Sequence, residues 1–172
     1  MARFSGTVLL DTNTIIEAHR VSAWRALCGG FALETVDDVV METQTGFQRR
    51  DPAQNIDQVK LLAGLKAVHE VNGLQEARLK LKLMEVGIDL DLGEFALWAH
   101  MLERNDSWML CGPDKASLRF GVRSGFRDRM ISLEQLLGDA GMTRTRPPLR
   151  ENFTKAWLDR VLGEFALEGI GR

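Results

Sequence analysis

The sequence predicts an α/β protein in which a parallel sheet is covered by helices on both faces. Two observations predict it. Short apolar runs alternate with longer stretches of helical periodicity, and strands connected through helices run parallel. The first run, ending Val8-Leu9-Leu10, carries no polar alternation, as in a strand buried on both sides. It stops at Asp11, with Thr12 and Asn13 behind it. Ligands of open parallel sheets sit beyond the carboxyl ends of strands, so Asp11 is the reference point for the rest of the chain.

Residues 7–10 form the first predicted strand, and a helix follows over 14–25, broken at Gly29-Gly30. Residues 31–34 give a second strand and 35–45 a helix with Val36, Val39, Val40 and Met41 inward. The polar stretch around Arg49-Arg50-Asp51-Pro52 is a loop, and Pro52 suits the start of a helix over 53–65. Residues 67–71 alternate weakly, as an edge strand does, and Asn72-Gly73 signals a turn. A helix over 74–86 places Leu74, Ala77, Leu81 and Met84 on one face and ends at Gly87. The clearest helix covers 91–103, with Leu92, Phe95, Ala96, Ala99 and Leu102 on its buried face. Trp108-Met109-Leu110-Cys111 is a strand stopped by Gly112-Pro113-Asp114, and a helix follows over 115–122. Met130-Ile131 is a short fifth strand, and Leu133 opens another helix.

The domain organisation follows. Residues 1–141 form one α/β domain. Residues 142–172 are an extension, a basic Pro-containing linker and then an amphipathic helix with Phe153, Trp157, Val161 and Phe165 every fourth residue. That helix either packs back on the domain or binds a partner.

Composition narrows the function. With 172 residues, 45% hydrophobic and 27% charged, there is chain enough for a real core. A formal net charge of -2 does not mark a nucleic-acid binder, so such binding needs a local basic patch. Cys28 and Cys111 form no disulfide or metal pattern, and His19, His69 and His100 have no ligand spacing among themselves. Asp11 interrupts the N-terminal apolar run and no run approaches the ~20 residues of a membrane span. A cytoplasmic protein without membrane association is the expectation.

Four acids carry the chemistry. Asp11 ends the first strand. Asp114 follows the strand that ends at Cys111 and lies beside Asp11 if those strands are neighbours. Glu42 lies on the helix after the second strand, and Glu94 in the first turn of the helix that begins near Asp91. Each also has a purely structural role open to it: Asp11 and Asp114 as helix N-caps, Glu94 with Asp91 as a capping box, Glu42 as a solvated helix residue. Clustered carboxylates repel, so some are held protonated or need a cation. Mg²⁺ and Mn²⁺ prefer oxygen ligands and suit phosphoryl chemistry. No base is arranged for a serine or cysteine nucleophile.

The order of these pieces resembles the PIN-domain family of metal-dependent nucleases, which includes many toxin ribonucleases. The resemblance rests on Leu9-Leu10-Asp11-Thr12-Asn13, the helix carrying Glu42, Leu92-Gly93-Glu94-Phe95-Ala96-Leu97-Trp98-Ala99, and Cys111-Gly112-Pro113-Asp114-Lys115. It covers roughly residues 5–140. It implies a three-layer α/β/α sandwich around about five strands. It further implies Asp11, Glu42, Glu94 and Asp114 as catalytic, metal-binding acids, Mg²⁺ or Mn²⁺ as cofactor, and Thr12 and Asn13 as hydrogen-bonding support. Pro113 departs from the family, which often has a polar residue before the fourth acid.

For nucleic acid, Lys115, Arg119 and Arg123 fall at i, i+4 and i+8 on one helix face directly after Asp114, a stripe that reads equally as phosphate-binding or as a solvated charged face. Arg49, Arg50, Arg144, Arg146 and Arg150 add loop cations, and Trp24 is the stacking candidate. The resulting expectation is a Mg²⁺/Mn²⁺-dependent endoribonuclease acting on RNA, with an antitoxin or a homodimer as further partners. The alternatives are a non-catalytic PIN-fold module that binds protein or RNA, and a DNA-directed nuclease of the same chemistry. A sugar-phosphate phosphatase fits less well, because Asn13 occupies the place of its second Asp.

Overall fold

A computed structural model describes residues 4–45 and 55–169. The order is β1 (Thr7–Leu10), α1 (Thr12–Arg20), α2 (Trp24–Gly30), β2 (Ala32–Val36), α3 (Asp37–Thr43), α4 (Gln58–Gly64), β3 (Ala67–His69), α5 (Gly73–Val86), α6 (Leu92–Met101), β4 (Trp108–Cys111), α7 (Lys115–Arg123), α8 (Leu133–Asp139) and α9 (Lys155–Glu168). The fold is α/β with a four-stranded, all-parallel sheet in the order β3-β2-β1-β4. The fifth strand expected at Met130-Ile131 does not form. Met130 makes a single parallel bridge to Leu110, because a 3₁₀ turn at Arg127–Arg129 delivers the chain to the edge too late for a ladder. The loop expected around Arg49, Arg50 and Pro52 lies outside the described residues.

β1 is central, and Val8, Leu9 and Leu10 have no exposed surface. That burial explains the unbroken apolar run. β1 pairs with β4 residue for residue, Leu10 opposite Cys111, so the two strands end together. Side chains then finish the end of β1: the Thr35 hydroxyl donates to Leu10 O (2.7 Å) and the Thr14 hydroxyl to Cys111 O (2.9 Å). Beyond the sheet, α6 is nearly buried all round. Trp98 packs edge-on against Trp108 (6.2 Å) and Phe120 (4.9 Å), and its Nε1 donates to Ser117 (2.9 Å), which locks α6 to α7.

α5 presents the face opposite to the expected one. Leu74, Leu81 and Met84 are exposed, whereas Leu79 is fully buried and Leu83 and Val86 pack beside it against the core. The sequence has two apolar stripes at helical spacing, and the packing against α6 selects the second. Met41 and Leu92, also expected inward, are 64% and 67% exposed. The remaining inward expectations hold for Val39 and Val40 on α3 and for Ala96 and Ala99 on α6; Phe95 and Leu102 are partly buried, and Val36 is buried as the last residue of β2 rather than in a helix.

The C-terminal helix packs back. Trp157, Leu158, Val161, Leu162 and Phe165 of α9 join the same core as the sheet. The segment before it is tied to α1 through Glu17, which is fully buried. Glu17 accepts two hydrogen bonds from Arg20 (2.7 and 2.6 Å) and one from the Arg150 backbone (2.9 Å), and Arg20 also reaches Pro148 O (2.7 Å). Burial alone would raise the Glu17 carboxyl, but the hydrogen bonds and charges of Arg20 and Arg150 outweigh it and hold the pKa below the usual range.

Two substitutions test this packing. Phe165→Ala opens a cavity between α9 and α7 and should cost about 3–5 kcal/mol in urea unfolding. Leu81→Ser, on the exposed stripe of α5, should change stability by less than about 0.5 kcal/mol.

Candidate functional site

The acids gather where β1 and β4 end. Asp11 is the N-cap of α1 and its Oδ1 accepts from Thr14 N at 2.6 Å. Asp114 is the N-cap of α7, with Oδ1 accepting from Ala116 N (2.6 Å) and Ser117 N (3.0 Å). Each cap leaves one carboxylate oxygen outside that bond. The parallel register of β1 and β4, continued by Asp11 N donating to Cys111 O (3.2 Å), brings the two caps to the same rim. Glu94 arrives from α6, where it closes a capping box with Asp91, and its carboxyl hydrogen-bonds that of Asp114. The capping role and the site role are therefore held by the same residues.

Glu42 comes in from α3. One of its oxygens accepts from the Thr12 hydroxyl in a short hydrogen bond, and the other from Gly93 N at 3.0 Å. Thr12 thus holds the Glu42 carboxylate in place. Asn13 is exposed and lines the same cleft, together with Asp11, Thr12, Val39, Glu42, Asp91, Gly93 and Glu94. The cleft has a volume of about 20 Å³, room for one ion or one water.

Three residues at this rim carried too little sequence signal. Asp91 reads as a cap, yet its charge acts on both Asp11 and Glu94. Its position three residues before Glu94 was the available clue. Gly93 and Gly112 matter for what they lack: a Cβ at Gly93 would lie 2.6 Å from a Glu42 oxygen, and one at Gly112 would lie 3.0 Å from the Asp11 carboxyl carbon. Both glycines let an acid come close.

Electrostatics set the state of the cluster. Burial raises the Asp11 carboxyl to about 7; the charges of Asp114 and Asp91 add to the rise, and the Thr14 hydrogen bonds oppose it. Burial raises Glu94 further, to about 9, aided by the charge of Asp114, the hydrogen bond to it, and Asp91. At neutral pH Glu94 therefore holds its proton. The acids do not converge tightly. Among the described residues, the one group of three potential ligand residues whose atoms all lie within 4.8 Å of one another is elsewhere, at Glu34, His69 and His100.

The basic stripe is partly spent on packing. Arg119 and Arg123 both pair with Glu168 of α9 (3.1 and 3.5 Å), Arg119 stacks on Phe165 (4.3 Å), and Arg123 also donates to Val86 O (2.8 Å). Lys115 is exposed beside Asp114 and makes no ion pair with the described residues. Trp24 stacks on His19 at 4.9 Å with its Nε1 buried, so it packs inside rather than offering a platform. Arg144 and Arg146 line an open cavity of about 590 Å³ beside the end of α8. No protein-family model matches the chain, and no curated protein matches it either.

Two predictions follow from the charges and the close approach. Asp11 and Glu94 have raised folded-state pKa values, so the stability they contribute is complete below about pH 4 and is lost as pH rises through about 7 and 9. In a chelator, urea-unfolding stability should therefore fall across that range by at most about 1.4 kcal/mol per pH unit for each group. Asp11→Asn and Glu94→Gln should each flatten the fall. Separately, Gly93→Ala should displace Glu42 and narrow the cleft; a crystal structure of the variant checks it.

Proposed function

We propose that this chain is a divalent-metal-dependent endoribonuclease of PIN type, with a three-layer α/β/α architecture. One observation carries the reading. Asp11, Glu94 and Asp114, from three separate elements, are electrostatically coupled at the carboxyl end of the parallel strands, and two of them are held at raised pKa values. A buried set of like charges that resists ionisation favours a bound cation, which lets every carboxylate ionise.

The residues fit such an ion. The donors are all carboxylate oxygens, which hard ions prefer, and the cleft has room for one. Asp11 and Glu94, which line the cleft with Glu42 and Asp91, would hold Mg²⁺ or Mn²⁺, with Asp114 beside them through its coupling to Asp11 and Glu94. When bound, the ion supplies Lewis acidity and charge neutralisation at a phosphodiester. The protein's own groups do the rest. Thr12 and Gly93 N–H orient Glu42, and the Thr14 N–H fixes one oxygen of Asp11. Ionised carboxylates accept a proton from the attacking water. In-line attack on phosphorus then breaks the bond to the 3′ oxygen, which takes up a proton, leaving a 3′-hydroxyl and a 5′-phosphate. Lys115 beside the rim would contact a phosphate.

An antitoxin that blocks the acidic cleft and a second copy of the chain belong to the same reading as partners, and the exposed Leu74, Leu81 and Met84 offer apolar surface to either. A non-catalytic module is the second reading. It is favoured by Glu42, both of whose oxygens already accept hydrogen bonds within the protein.

Labelled single-stranded RNA should be cut by the purified chain in Mn²⁺ or Mg²⁺, and not in EDTA or by Asp11→Asn. Equal behaviour of wild type and folded Asp11→Asn would defeat the nuclease reading. Preferential cutting of matched DNA would move the substrate class. Lys115→Gln should weaken RNA binding and lower its salt slope by about one.

A further inference from the structure

A second cluster lies on the other half of α6, roughly 9 Å along the helix axis from Glu94. Glu34 of β2, His69 of β3 and His100 of α6 place one ligand atom each within 4.8 Å of the others. Glu34 is 5% exposed. His69 Nε2 lies 2.7 Å from Glu34 Oε2, and the two imidazoles stack at 4.0 Å. The cluster already holds a cation. Arg104 Nη1 lies 2.6 Å from Glu34 Oε2 and 3.0 Å from His100 Nε2, so the His100 lone pair points at a positive group. The rest of that guanidinium belongs to Asp106: Nε and Nη2 donate to its two oxygens at 2.8 and 2.6 Å. To release Glu34 and His100, the planar guanidinium would swing away as one unit, and Asp106, whose side chain is half exposed, can follow it.

We infer that Glu34, His69 and His100 form a binding site for a borderline transition-metal ion of the Zn²⁺ class, with Arg104 occupying the cation position in its absence. Two imidazole nitrogens and one carboxylate oxygen are a zinc-type donor set, with a water as the fourth ligand. They are a poor set for Mg²⁺, which sets this site apart from the acidic cleft. His100 Nε2 accepts from Arg104 Nη1 at 3.0 Å, so that nitrogen presents a lone pair to the position an ion would take. On binding, His69 Nε2 would exchange its contact with Glu34 Oε2 for the ion. The ion would cross-link β3, an edge strand of three residues, to β2 and to α6. The inference does not depend on the nuclease reading.

The test is titration of the full chain with Zn²⁺ by calorimetry, in wild type and in an Asp11→Asn, Glu94→Gln background that removes the acidic rim. One Zn²⁺ per chain should bind in both. His69→Gln and His100→Gln should each weaken binding at least roughly tenfold. Arg104→Gln, which removes the competing cation, should tighten it. Co²⁺ provides a readout on the unmutated chain. Intense visible bands of a four-coordinate site with nitrogen ligands support the inference. The weak bands of six-coordinate oxygen ligation overturn it. Absence of Zn²⁺ binding overturns it too, as does binding indifferent to both histidines or weakened by Arg104→Gln in a variant whose circular dichroism is native.

Discussion

Like charges gathered at the end of a buried strand are the constraint on which this structure turns. β1 is enclosed on both faces and ends in Asp11, which leaves that carboxyl little water. The register of β1 with β4 then brings Asp114 alongside, and α6 adds Glu94 and Asp91. Each acid has a structural excuse, since three of them cap helices. Together they form a group whose burial and mutual repulsion hold Asp11 and Glu94 toward their protonated forms. The capping bonds occupy one oxygen of Asp11 and one of Asp114.

The glycines on either side make that arrangement possible. Gly93 opens the start of α6 to the Glu42 carboxylate, and Gly112 makes room for Asp11 itself. Neither has positive φ or sits in an unusual turn. Their value lies in the missing methyl group, which no local pattern reveals. Thr12, Thr14 and Thr35 complete the rim by satisfying carbonyl and carboxylate oxygens that would otherwise be buried without a donor.

A second network, around Glu34 and Arg104, solves the opposite problem. A carboxylate buried in the sheet interior is stabilised by a guanidinium and an imidazole instead of being protonated. Burial pushes Glu34 up, but the hydrogen bonds from His69 and Arg104 and their charges bring it below its usual range. The acidic rim and this network lie at the two ends of α6. One leaves its charges uncompensated, as sites that recruit cations do; the other already carries its cation. The same contrast appears at Glu17, where Arg20 and Arg150 neutralise a fully buried acid and anchor the chain before α9.

The sequence by itself determined the alternation of strands and helices, the burial of β1 on both faces, and the caps at Asp11, Asp91 and Asp114. These follow from local chemistry and from strand–helix order, both of which are written along the chain. The sheet order, by contrast, decided that Asp11 and Asp114 share one rim. Tertiary structure decided the rest. It chose which of two apolar stripes on α5 faces the core, because periodicity cannot say what lies opposite a helix. It reduced Met130-Ile131 to a single bridge, because ladder formation depends on the angle at which the chain returns. It turned Arg119 and Arg123 toward Glu168 rather than leaving them all for solvent, and it joined Glu34, His69 and His100, which share no spacing in sequence. Those contacts link residues far apart in the chain, and only packing brings them together.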